Sequence, residues 1–152
     1  MKFHVLAGLL VLPLLSASGA RADDTVPVPT LAIVSPSAGA VLTLGGDAGK
    51  SVSVEIAVAN FTIRPAGQCG GLANCGHVHL AIDYPGTACN APGSGGNSTN
   101  SLTGGTTVEA HFGYCPSPAG SHVIAVALAR DDHSLVLVAG KPVTAAVPVT
   151  TR

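Results

Sequence analysis

Apolar and polar side chains alternate along this chain in a two-residue rhythm. From residue 51, Val52, Val54, Ile56 and Val58 fall on one side of an extended segment, with Ser51, Ser53, Glu55 and Ala57 on the other. That is the period of a half-buried β-strand. Phe61 and Ile63 resume the alternation after Asn60, and RPAGQCGG ends it. Further short runs occupy residues 31–36, 76–82, 107–112, 122–129, 135–138 and 143–149, and VLTL at 41–44 reads as an edge segment. Val, Ile and Thr dominate these runs, which suits a pleated surface. No 12-residue window carries a convincing helical stripe. About seven short strands divided by turn signals predict an all-β fold, an antiparallel two-sheet β-sandwich in preference to a closed barrel.

The ends change the domain picture. MKFHVLAGLLVLPLLSASGARADD has a basic start at Lys2, an apolar run from Val5 to Leu15 and the small-x-small sequence Ala20-Arg21-Ala22, the layout of a signal peptide cut after residue 22. Pro13 interrupts the run, which is also shorter than the roughly 20 residues of a membrane span. Residues 1–22 are therefore expected to be a signal peptide, 23–30 an extended leader and 31–152 one domain of a secreted or periplasmic protein with no membrane span. The stretch from Tyr84 to Thr107 is rich in Gly, Ser, Asn and Pro and reads as a long surface loop.

Composition narrows the function classes. After residue 22 there are five basic residues against eight acidic ones, a net charge of −3, which attracts neither nucleic acid nor an anionic membrane. Cys69, Cys75, Cys89 and Cys115 all lie beyond residue 22, and an even count in an exported chain favours two disulfide bonds. Three connectivities are open. Cys69 with Cys75 and Cys89 with Cys115 is preferred, because the first pair brackets GGLAN, which can fold back on itself. A zinc–thiolate site is disfavoured because no Cys-x2-Cys knuckle is present.

The opening Ser35-Pro36-Ser37-Ala38-Gly39, with a late strand that starts at Gly120-Ser121-His122 and runs into Arg130-Asp131-Asp132-His133, resembles bacterial immunoglobulin-like modules. The order GHVHLAID, GSHVIAVAL, RDDH also resembles small exported bacterial domains of unknown function, the DUF4399-like group. That resemblance spans about residues 52–149, implies an immunoglobulin-like sandwich and brings no established activity. His-His-His-Leu is common in that group, whereas Val78 stands between His77 and His79 here, so one ligand position is absent.

Residues i and i+2 of a strand share a face. His77 and His79 are therefore neighbours on the face opposite Val78, Leu80 and Ile82, and their imidazoles are expected to converge outside the core. Two such imidazoles form half of a copper or zinc site. His111, His133, Asp83 and Glu109 are the candidates for the remainder, with His77, His79, His111 and His133 taken as the metal set. The competing role for each is a hydrogen bond to loop backbone. His122 shares the face of Ile124, Val126 and Leu128 and occupies the place where immunoglobulin-like domains put a corner tyrosine, so it is read as structural.

HVHLAID followed by Gly86 and Cys89 resembles the His-x-His segment of copper–zinc superoxide dismutases over about a dozen residues. Residues 84–100 contain no histidine and no arginine lies near Cys115, which removes that family's bridging ligand, zinc loop and anion guide. There is no Gly-x-Ser-x-Gly elbow, Ser94 and Ser98 sit in the loop, and Asp131 with Asp132 point apart as neighbours. The chain is thus expected to be no enzyme but a binding or accessory module holding copper or zinc. The alternative is a structural domain contacting a cell-surface protein or a glycan, with Tyr84 and Tyr114 as the stacking platforms near the loop.

Overall fold

In a computed structural model, which describes residues 27–83, 88–90 and 105–152, ten strands account for nearly all regular structure. The expected signal peptide, the first part of the leader and most of the 84–107 loop, with Tyr84, Ser94 and Ser98, lie outside the described residues.

The strands are β1 (Thr30–Ser35), β2 (Ala40–Leu42), β3 (Ser51–Ala59), β4 (Thr62–Ile63), β5 (Cys75–Ile82), β6 (Thr107–His111), β7 (Gly120–Ala129), β8 (Leu137–Val138), β9 (Lys141–Pro142) and β10 (Thr144–Thr151). They form a three-stranded sheet in the order β1-β3-β6, a five-stranded sheet in the order β2-β10-β7-β5-β4, and the β8-β9 hairpin. Ala139 and Gly140 both have positive φ, 49° and 76°, the backbone a tight two-residue hairpin turn requires. The all-β class is as expected. The pairing is mixed, however: β2 runs parallel to β10 and β4 parallel to β5. Both exceptions are two- or three-residue edge segments, too short for their own alternation to reveal a direction.

The alternation places the core correctly. Val54 and Ile56 of β3 and Val108 and Ala110 of β6 meet Val78, Leu80 and Ile82 of β5 and Ile124, Val126 and Leu128 of β7 in one buried cluster. Each of the larger side chains contributes about 1.5–3 kcal/mol by leaving water. Phe112, fully buried, and the Cys89–Cys115 bond complete it. The leader is pinned rather than loose at its end: Asn74 Nδ2 donates to Pro27 O and Asn60 Nδ2 to Val28 O, each at 2.9 Å.

Both disulfides have the preferred connectivity, Cys69–Cys75 and Cys89–Cys115. They span 6 and 26 residues, so loop-closure entropy ranks them: about 2–2.5 kcal/mol for the short loop and about 3.5 kcal/mol for the long one. Paired Cys→Ala variants in urea titrations are expected to show the larger loss for Cys89/Cys115.

Candidate metal centre

Strand β5 carries His77 opposite Ala129 and His79 opposite Ala127 of β7, with Val78, Leu80 and Ile82 turned inward. Where β7 ends, residues 130–134 make a tight turn: His133 N–H donates to Arg130 O (2.9 Å) and Arg130 N–H to Ser134 O (2.8 Å), and Leu135 returns to pair with Ala129. Asp132 Oδ1 accepts from both the N–H and the hydroxyl of Ser134, which locks the turn. His133 has φ 65°. A left-handed backbone costs most side-chain-bearing residues about 1–2 kcal/mol that glycine would not incur; histidine is among those found there more often, so the turn permits histidine without requiring it.

The reason lies across the sheet. His77 Nε2 is 2.9 Å from His79 Nε2 and 3.0 Å from His133 Nδ1, and the last two are 3.3 Å apart. A neutral ring nitrogen is either a donor or an acceptor, so a triangle of three can satisfy at most two of its contacts internally. One cation satisfies three acceptors at once. Tetrahedral bonds of 2.0–2.1 Å hold nitrogens about 3.3–3.4 Å apart, so the triangle needs to open by only a few tenths of an ångström. These three residues are the cluster able to hold a metal ion among the described residues.

The surroundings favour neutral imidazoles, the form that ligates. Burial, aided by the charges of His77 and His133, lowers the His79 pKa from 6.5 to about 4. Burial first, then His133, also lowers that of His77, against an opposing pull from Asp131. His77 is fully buried, which differs from the expected placement of both imidazoles outside the core: the 130–135 turn covers the outer face of β5 at that level. The Nδ1 of His77 and the Oδ1 of Asp131 are both buried without a hydrogen-bond partner, while Asp131 Oδ2 accepts from Cys69 N–H at 3.0 Å. With Nε2 on a metal the proton of His77 would reside on Nδ1; Asp131 acts on this ring through its charge, without a hydrogen bond between the two. The turn brings this charge beside β5, which the sequence alone does not show.

The other candidates are elsewhere. His111, expected in the metal set, is not brought to the cluster: its strand joins the three-stranded sheet, where Nδ1 lies 2.9 Å from Ser51 Oγ and the ring 5.8 Å from that of Tyr114. Glu109, on the same strand, accepts from Ser53 Oγ. Asp83 is engaged by His122, whose Nδ1–H donates to Oδ2 (3.1 Å), while Oδ1 accepts from Val123 N–H (3.1 Å). His122 itself is buried edge-on to Phe112 at 5.2 Å, a setting that ties the start of β7 to the end of β5. No protein family, curated protein or solved structure matches the chain.

Gly76 sets how closely the turn approaches β5. A Cβ there would collide with the Ala129 carbonyl oxygen and crowd Arg130 Cα. Gly76→Ala is expected to cost about 1–3 kcal/mol in urea titrations and to weaken metal binding as well, since the displaced turn carries His133.

The depressed histidines give the metal-free protein a defined acid response. Between pH 6.5 and about 4 the unfolded chain takes up protons that folded His79 refuses, so the stability contributed through His79 falls as pH drops through that window and changes no further below it. Urea titrations of chelator-treated protein at pH 7.5, 6 and 4.5 are expected to show this decline, flattened in His77→Ala/His79→Ala.

Proposed function

We propose that this protein is an exported, disulfide-stabilised β-sandwich of immunoglobulin-like type that binds copper or zinc through His77, His79 and His133 as a binding or accessory module rather than an enzyme. The observation that carries the reading is the triangle of ring nitrogens with sides of 2.9, 3.0 and 3.3 Å. Imidazole suits both metals, and three protein ligands leave a coordination position for an external group. Export is supported by the signal-like first 22 residues together with the two disulfides, because such bonds persist in oxidising compartments. The DUF4399-like group remains the proposed kinship, on the GHVHLAID, GSHVIAVAL and RDDH order.

Calorimetric titration of oxidised protein with Cu(II) and Zn(II) tests this. One ion per chain is expected, with submicromolar affinity, at least about 100-fold weaker in His79→Ala or His133→Ala and unchanged in His111→Ala. Equal weak binding by all four proteins would leave the histidines as packing residues of a structural domain.

A further inference from the structure

The outer face of the five-stranded sheet is alanine-rich. By register, His79 of β5 lies beside Ala127 of β7, and that beside Thr144 of β10; the next row is Ala81, Ala125 and Ala146. Alanine is a poor strand former, and these side chains face away from the core that the opposite positions fill. Fold stability therefore does not account for them.

Their small size has a geometric effect. With alanine methyl groups along most of this floor, beside Thr144, and Leu135 rising from the turn that carries His133, the face is hollowed into a cleft of about 540 Å³ that Asn90 also lines. His79 and His133 both line this cleft, whereas His77 is fully buried. No charged side chain among the described residues lines it. A volume of this order belongs to small-molecule sites, which are mostly apolar with a few placed polar groups.

We infer that the cleft is the ligand-binding site of the metal centre, and that its ligand is a small molecule with an uncharged aliphatic body on the alanine floor and one donor head in the open coordination position. This rests on the metal-binding reading above. The described lining carries no charge, which disfavours a charged body that would lose its hydration without a partner. The alanine rows offer methyl groups for aliphatic contact, and the rings that line the cleft among the described residues are the imidazoles of His79 and His133, which would be engaged by the metal.

The test uses the oxidised protein loaded with Zn(II), titrated calorimetrically with 1-methyl-, 1-butyl- and 1-hexylimidazole, which share one nitrogen donor and differ in aliphatic length. A fully buried methylene strengthens binding about fourfold, so the hexyl compound is expected to bind at least about tenfold more tightly than the methyl one. That gain should shrink in Ala125→Leu and in Ala146→Arg, which fill the floor from two different strands; Zn(II) stoichiometry is checked for each. Affinity independent of chain length, or a gain intact in both variants, overturns the inference while the metal reading stands. Equally tight binding of the hexyl compound to metal-free protein overturns the role of the donor head. Failure of the wild-type protein to take up Zn(II), seen before any imidazole is added, removes both readings.

Discussion

The pairing of β5 with β7 is the contact on which the rest depends. Its antiparallel register puts Val78, Leu80 and Ile82 against Leu128, Val126 and Ile124 on the inner side. The same register puts His77 and His79 against Ala129 and Ala127 on the outer side. A slip of one residue would exchange the two faces and bury imidazoles where aliphatic groups now pack. Core stability and the histidine arrangement are thus two consequences of one set of backbone hydrogen bonds.

What closes the site is the way the chain leaves β7. Gly76 lets the Ala129 backbone come down onto β5, Asp132 and Ser134 fix the turn, and the left-handed backbone at His133 directs its ring to the other two. The Cys69–Cys75 bond lies at the head of β5, and Cys69 N–H holds the carboxylate of Asp131. Local stability is therefore concentrated around three imidazoles whose mutual contacts cannot all be satisfied without a cation. That combination, rigid surroundings and an internally frustrated centre, is what preorganisation for a ligand looks like.

The remaining histidines show why residue type alone is a poor guide. His122 serves a carboxylate and an aromatic ring at the corner between β5 and β7. His111 sits at the end of a strand in the other sheet beside Ser51. Each has local partners that account for its place, and neither adds to the cluster.

Much was legible along the chain itself. Two-residue periodicity located the long strands and their inner faces, since burial of alternate aliphatic side chains is a local property of an extended backbone. The same rule made His77 and His79 neighbours, and turn composition around GGLAN anticipated the short disulfide. Direction of the short edge strands was not legible, because two or three residues carry no periodicity. The choice of His133 over His111 as third member of the cluster was not legible either: His111 ends a strand and His133 lies in the turn after one, and only the sheet to which each strand belongs decides which ring reaches β5. The burial of His77, the approach of Asp131 and the alanine-floored cleft belong to the same class, since each arises where segments about 50 residues apart in sequence are brought together by packing.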